Sequence, residues 1–357
     1  MILLSTTTIL SSIAVFLFVI LTLVGILLFV KAKLSPSGKI KIKINGEKEI
    51  EVEGGNTLLT TLSNEGIFLP SACGGGGTCV QCTCQVHEGG GSILPTEEPH
   101  FSRKEIAEDY RLGCQVKVKE DMEISIPEEV FGVKKWEATV VSNYNVATYI
   151  KEFIVEVPED MPYEAGGYIQ IEIPNCEVPF SEMDITAHPE DHPGEPNKFD
   201  KDWAEGPFAM RNLVMKNDDE VTRAYSMASY PAEGRKIMLN VRVAAPPFDR
   251  DKGTWADLNP GVASSYIFGR KPGDKVTISG PYGEFFINHS DAEMLYVGGG
   301  AGMAPMRSHL YELFKTLKTG RKVSYWYGGR SKAELFYIEH FRSLERDFPN
   351  FKFYLVL

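Results

Sequence analysis

Ser71-Ala-Cys73-Gly-Gly-Gly-Gly-Thr-Cys79-Val-Gln-Cys82, completed by Cys114, is the stretch that decides how this chain is read. Three thiols in a Cys-x5-Cys-x2-Cys run with a distant fourth have the ligand spacing of a [2Fe–2S] cluster, one residue longer than the Cys-x4-Cys-x2-Cys arrangement. The glycines are as informative as the thiols. A cluster needs backbone wrapped closely around it with amides aimed at its sulfurs, and side chains would obstruct that approach. Zinc is the competing metal, but a zinc ribbon has two Cys-x2-Cys knuckles and needs no glycine loop. Cys73, Cys79, Cys82 and Cys114 are therefore the expected cluster ligands, and the chain is expected to handle single electrons.

The remaining cysteines, Cys84 and Cys176, do not make a disulfide framework, and cluster thiolates favour a reducing compartment. Cys84 alternates with Cys82 in a strand-like segment and reads as a packing residue. With 357 residues, 43% hydrophobic and 24% charged, the chain has material for two or three domains. A net charge of −11 argues against nucleic acid as a partner.

Outward toward the N-terminus, no charged residue occurs from Met1 to Val30, and residues 13–30 are nearly pure hydrocarbon. About twenty apolar residues cross a bilayer, so the segment is long enough to span one. The basic n-region and small-residue cleavage site of a signal peptide are both missing. Lys31, Lys33, Lys39, Lys41 and Lys43 follow at once, which places the rest of the chain in the cytoplasm. The expectation is a single-pass membrane anchor over 1–34 with the short N-terminus outside, and an electron acceptor in or on that membrane.

After a linker at 35–38, Lys39–Ile44 alternates strictly, turns at Asn45-Gly46 and returns through Lys48–Val52, a hairpin pattern. Residues 57–66 read as a helix with a glycine cap, and residues 112–118 as a strand carrying Cys114 at its start. Strands, helix and cluster loop give a β-grasp domain over 35–130. Short alternating strands at 136–142, 150–157, 168–173, 221–226 and 236–243 give a small antiparallel barrel, assigned to 131–290. Between 174 and 220 the pattern lapses into a polar stretch with His188 and His192. Its prolines argue against a metal and for an inserted surface loop that docks a partner. From 291 to 357, a strand at 293–297, a helix at 304–317, a strand at 322–327, a helix at 333–344 and a strand at 351–356 describe half of a doubly wound parallel sheet. The fold class is thus multidomain, α+β and α/β.

Three motifs carry further chemistry. Arg223-Ala-Tyr225-Ser226-Met227-Ala-Ser229 ends a barrel strand and suits a flavin: arginine for pyrophosphate, an aromatic ring against the isoalloxazine, a small hydroxyl near its reactive edge. Gly261-Val262-Ala263-Ser264 precedes a helix and can meet phosphate through backbone amides. Gly298-Gly299-Gly300-Ala301-Gly302-Met303-Ala304-Pro305 occupies the strand-to-helix turn where a dinucleotide pyrophosphate would sit. It is not Gly-x-Gly-x-x-Gly, which disfavours an ordinary Rossmann dehydrogenase.

These motifs resemble those of the ferredoxin-NADP⁺ reductase superfamily. With the apolar N-terminus and cysteine loop added, and with Gly299-Gly-Ala-Gly-Met-Ala-Pro-Met-Arg307, the chain resembles the F subunits of Na⁺-translocating NADH:quinone oxidoreductases. The resemblance implies a [2Fe–2S] cluster on Cys73, Cys79, Cys82 and Cys114. FAD would lie along Arg223, Tyr225, Ser226 and Met227, with Ser226 nearest the hydride-accepting atom and Gly261–Ser264 at its phosphates. NADH would face Gly298–Pro305. Electrons would pass to membrane subunits of the same complex and on toward quinone, and sodium would be moved by those other subunits. The family continues past the strand in which this sequence stops, so the sequence is expected to be a fragment. The competing readings are a soluble oxygenase reductase and an electron-carrier module without NADH chemistry. Arg330 fits NADH or NADPH equally, and the resemblance favours NADH.

Overall fold

The computed structural model describes residues 6–34 and 39–357, with side chains in the first stretch described for 11–26. The expected linker at 35–38 lies outside the described residues, as do the side chains of Lys31 and Lys33. Helix α1 (Thr6–Leu34) has only exposed side chains over 11–26, among them Phe16, Phe18 and Leu21. Among the described residues no helix is long and apolar enough to cross a membrane. The span expected over 13–30 extends beyond those described side chains.

From α1 onward the chain divides into two compact units, residues 1–69 with 80–128, and residues 70–79 with 129–357. The first contains β1 (Lys39–Ile44), β2 (Lys48–Glu53), α2 (Leu58–Asn64), β3 (Thr83–Glu88), α3 (Arg103–Ala107), β4 (Tyr110–Leu112) and β5 (Met122–Ser125). They form a sheet of order β2–β1–β5–β3–β4 in which only β1 and β5 run parallel. Alternation decides the buried face: Ile40, Ile42 and Ile44 point inward while the lysines between them face solvent. Thr57 caps α2 through a 3.2 Å hydrogen bond from the Thr60 amide. Cys84 lies buried in β3, as packing. Cys114 is not on a strand as expected. β4 ends at Leu112, and the Gln115 and Val116 amides both fold back to the Leu112 carbonyl (2.8 and 3.1 Å), so Cys114 sits in a tight turn.

That turn is fixed from below by a buried ion pair. Arg111 Nη2 meets Glu97 Oε2 at 2.7 Å, and the carboxylate also accepts the Leu112 and Leu94 amides (2.9 and 3.0 Å). The remaining guanidinium donors take the carbonyls of Gly90, Gly91 and Ser92. Burial alone would raise the Glu97 carboxyl pKa, but the arginine and the amides hold it below its usual value.

The second unit holds β6 (Lys134–Ala147), β7 (Ile150–Glu156), β8 (Tyr168–Ile173), β9 (Cys176–Pro179), α4 (Asp200–Ala204), β10 (Val214–Asn217), β11 (Val221–Ser226), β12 (Lys236–Arg242), β13 (Phe248–Asp249), β14 (Thr254–Trp255), α5 (Val262–Phe268) and β15 (Lys275–Tyr282). Six of the strands make an antiparallel sheet of order β11–β8–β15–β6–β7–β12, which curls until its outer strands meet at a Met227–Leu239 bridge. The 174–220 stretch is not a surface loop. β9 and β10 pair, and Phe180, Phe199 and Trp203 are fully buried in the barrel core. Aromatic residues spaced among charges hid this, because no periodicity announces a packed irregular segment.

The unit continues with β16 (Met294–Gly299), α6 (Ala304–Tyr311), β17 (Val323–Gly328), α7 (Ile338–Asp347) and β18 (Phe351–Val356), in a parallel sheet of order β16–β17–β18. Helix α6 gives way to a π-turn at Glu312–Thr316 instead of running to 317. Helix α7 starts at Ile338, not Ala333, because Tyr337 adopts a left-handed conformation (φ 59°) that inserts its ring into the interior. Its hydroxyl donates to Glu152 and accepts from Asn240 Nδ2 at 2.9 Å.

Glu97→Ala leaves Arg111 buried without its partner, and urea unfolding should show a loss of about 3–5 kcal/mol at neutral pH. Because the folded carboxyl pKa is depressed, the ionised Glu97 stabilises above the usual carboxylate range, and wild type and variant should converge as pH falls through the depressed value. Glu49→Ala, which breaks an exposed pair with Lys41, should leave the midpoint in place.

Candidate functional site

The cysteine loop folds as its glycines require. Gly74, Gly75 and Gly77 take left-handed φ of 66°, 91° and 74°, and the Gly75 amide is fastened to Ser71 Oγ at 3.0 Å. All six cysteines are free thiols. Cys73 and Cys79 approach to 3.3 Å between sulfurs. Burial pushes the Cys73 thiol up, yet hydrogen bonds from Cys79 and Thr78 outweigh it and bring its pKa down to about 6. Cys82 and Cys114 are buried together, and the hydrogen bond between them, with burial, raises the Cys82 thiol. Among the described residues no group of three or more His, Cys, Asp or Glu side chains is gathered around a single metal position. What the structure presents is two thiol pairs, one of them on a glycine loop that donates to sulfur. Thiols that receive backbone donors at sulfur fit an iron–sulfur cluster.

Residues 70–79 belong to the same compact unit as the barrel. A Cβ at Gly74 would overlap Arg223 Nη1 and come within 2.6 Å of the Thr222 carbonyl oxygen, so only glycine allows the loop to lie against β11. The expected flavin residues follow on that strand. Arg223 and Tyr225 share one face, and Ser226 ends the strand exposed. Tyr225 packs against the barrel core, which raises its phenol pKa. Arg223 Nη1 also donates to the Thr222 carbonyl at 2.8 Å. Met227 differs from the expectation. Its side chain is wholly buried in the barrel and its amide donates to the Gly167 carbonyl at 3.0 Å.

Gly261 precedes α5 where a Cβ would come within 2.6 Å of the Ala244 methyl. Val262 opens the helix, while Ala263 and Ser264 are buried in its first turn. The Ser264 hydroxyl is committed to the fold, accepting from the Ala244 amide and donating to the Gly261 carbonyl (both 3.1 Å). The Gly261 amide is likewise committed, to the Ala244 carbonyl at 2.7 Å, so only the Val262, Ala263 and Ser264 amides remain for phosphate, since the first-turn amides of a helix lack intrahelical acceptors.

The nucleotide turn is equally tight. A Cβ at Gly298 would overlap the Met306 sulfur, and one at Gly299 would overlap the Gly328 carbonyl oxygen. Gly300 is left-handed (φ 56°), and Gly300–Met303 form a single 3₁₀ turn before α6, with Pro305 in its first turn. Met303 and Ala304, expected to face the nucleotide, are buried in the core. Ala301 and Gly302 remain at the turn, with open space beside Gly302. Sequence reasoning gave no role to Arg307, Ser308 and His309, three consecutive polar residues that are all buried on α6. Three neighbouring residues on a helix cannot share one face, so their joint burial was not signalled by periodicity.

These three sites define an iron–sulfur flavoprotein oxidoreductase. Profiles of a 2Fe-2S iron-sulfur cluster binding domain, an oxidoreductase FAD-binding domain and an oxidoreductase NAD-binding domain match residues 42–119, 205–287 and 296–357. The cofactors are accordingly a [2Fe–2S] cluster, FAD and NADH. The F subunit of the Na(+)-translocating NADH-quinone reductase of Neisseria meningitidis serogroup B is 52% identical over 347 residues, covering 97% of this chain and 82% of that protein. The corresponding F subunit from Pseudomonas aeruginosa is 50% identical over 348 residues, covering 97% and 81%. The chain belongs to the family of F subunits of Na⁺-translocating NADH-quinone reductases. Two solved structures share the fold. Amycolatopsis cytochrome P450 reductase GcoB has a TM-score of 0.58 at 23% identity, covering 89% of this chain and 80% of that one. A ferredoxin reductase in carbazole 1,9a-dioxygenase has a TM-score of 0.51 at 19% identity, covering 89% and 79%.

Two substitutions separate packing from open space at the nucleotide turn. Gly299→Ala should cost about 1–3 kcal/mol in thermal unfolding, because its methyl meets backbone that cannot give way. Gly302→Ala should stay within about 0.5 kcal/mol of wild type.

Proposed function

We propose that this chain is the electron-input subunit of a membrane NADH:quinone oxidoreductase that pumps Na⁺. When bound, FAD accepts hydride from NADH and releases electrons singly, and the cluster relays them one at a time. Ser226 presents a hydroxyl at the open end of β11, where hydride arrives. Tyr225 supplies an aromatic wall and Arg223 a positive charge for pyrophosphate. The Val262–Ser264 amides, with Gly261 allowing the close turn before them, hold phosphate, and the Gly298–Gly302 turn admits the nicotinamide nucleotide. Cys73, Cys79, Cys82 and Cys114 hold the cluster.

The observation that carries this reading is the close approach of the cysteine loop to the flavin strand at Gly74. Cys73 and Cys79 thereby share one compact unit with the flavin strand, as a short electron path requires. The exposed apolar side chains of α1 support single-pass anchoring in the bacterial cytoplasmic membrane, with the soluble domains in the cytoplasm. From there the cluster delivers electrons to membrane subunits and, through them, to quinone.

The full chain should stay with washed membranes, and anaerobic NADH should bleach first its flavin and then its cluster absorbance. Cys82→Ser should lose the cluster bands and keep flavin bleaching. A chain bleached by dithionite but not by NADH would refute the reading.

A further inference from the structure

We propose that Arg307, Ser308 and His309 on α6 form a polar latch that sets the distance between the nucleotide turn and the flavin strand, as positioning residues for hydride transfer. The role in hydride transfer rests on the function proposed above. On an α-helix three consecutive residues fan across more than half the circumference, so an ordinary amphipathic helix exposes at least one. Here none is more than 3% exposed.

Each latch residue reaches a different part of the barrel. Arg307 Nη1 donates to the Ala228 carbonyl at 2.7 Å, and Nη2 pairs with Glu233 Oε1 at 2.9 Å. Its guanidinium also lies 4.4 Å from the ring centre of Tyr311. Ser308 Oγ accepts the Gly166 amide at 3.3 Å. His309 Nε2 donates to the Phe285 carbonyl at 3.0 Å, which leaves Nδ1 to accept from Tyr296 Oη at 3.2 Å. Burial lowers the imidazole pKa, in keeping with that neutral tautomer.

The barrel partners lead directly to the flavin strand. Ala228 follows Met227, whose amide is bonded to Gly167, the neighbour of Gly166. Gly166 itself has φ 95°, and a Cβ there would overlap both the Phe285 carbonyl oxygen and His309 Nε2. The rim loop is therefore pressed against α6 as closely as backbone permits. α6 starts where the nucleotide turn ends, so its seating fixes that turn relative to Ser226. Apolar packing tolerates sliding, whereas buried donors and acceptors lose their partners when the helix shifts. None of the three residues lies on β11 or in the nucleotide turn, so the latch acts through them.

The test uses the full chain with Arg307→Met and the milder Ser308→Ala, measuring hydrogen exchange together with the stopped-flow kinetics of flavin bleaching by NADH. In Arg307→Met the Gly166 and Met227 amides should exchange about tenfold faster, and flavin content should be unchanged. The limiting bleaching rate should fall about tenfold or more, with the half-saturating NADH concentration nearly constant. Ser308→Ala should move both readouts the same way by less. An unchanged limiting rate, or a loss explained entirely by missing flavin, overturns the proposal. If NADH does not bleach the wild-type chain, the proposed function fails and exchange alone decides the latch: faster exchange upholds it, and unchanged protection overturns it.

Discussion

A polar group buried without a partner costs about 2–7 kcal/mol in an apolar interior, and the arrangement of residues 129–357 follows from meeting that constraint. Lys151 shows it most plainly. It is wholly buried, and its ammonium donates to the carbonyls of Asn143 and Asp184 at 2.8 and 2.6 Å, while burial brings its pKa down to about 7. Those bonds hold the segment after β9 against β6. Next along β7, Glu152 accepts from Tyr337 and meets His188 at 3.3 Å, which joins the same segment, the barrel and the nucleotide half. These bonds form in one register, so they determine the docking that apolar packing alone leaves adjustable.

Function depends on a second constraint, the closeness of backbone to backbone. At Gly74 the cysteine loop reaches β11, at Gly299 the nucleotide turn reaches β17, and at Gly166 the barrel rim reaches α6. A methyl group is excluded at all three positions. Within the second unit these approaches bring together the loop of Cys73 and Cys79, the expected flavin strand and the nucleotide turn. The burial of Met227, Met303 and Ala304 belongs to the same pattern, since the expected flavin and nucleotide motifs also contribute to the core.

Much of this was legible in the sequence because local chemistry determined it. Alternation placed β1, β8 and β18, and glycine spacing placed the cysteine loop and the nucleotide turn. Where long-range burial overrode local pattern, the sequence misled. Trp203 and Phe199 sit among charges yet fill the barrel core, Tyr337 delays α7 by inserting its ring, and Cys114 lies in a turn organised by Glu97 and Arg111. The Arg307 and Ser308 contacts of α6 were invisible because their partners lie about 75 to 140 residues earlier in Ala228, Glu233 and Gly166. Such pairings leave no periodic signature.

The central claim is that hydride enters at the flavin strand and single electrons leave through the cysteine loop. Its most direct test is paramagnetic resonance on the full chain, frozen at intervals after anaerobic mixing with one equivalent of NADH. A reduced-cluster signal should rise only after the flavin has bleached, and should be absent in Cys82→Ser although the flavin still bleaches. A cluster signal preceding flavin bleaching, or a cluster that stays silent while the flavin is fully reduced, would contradict it.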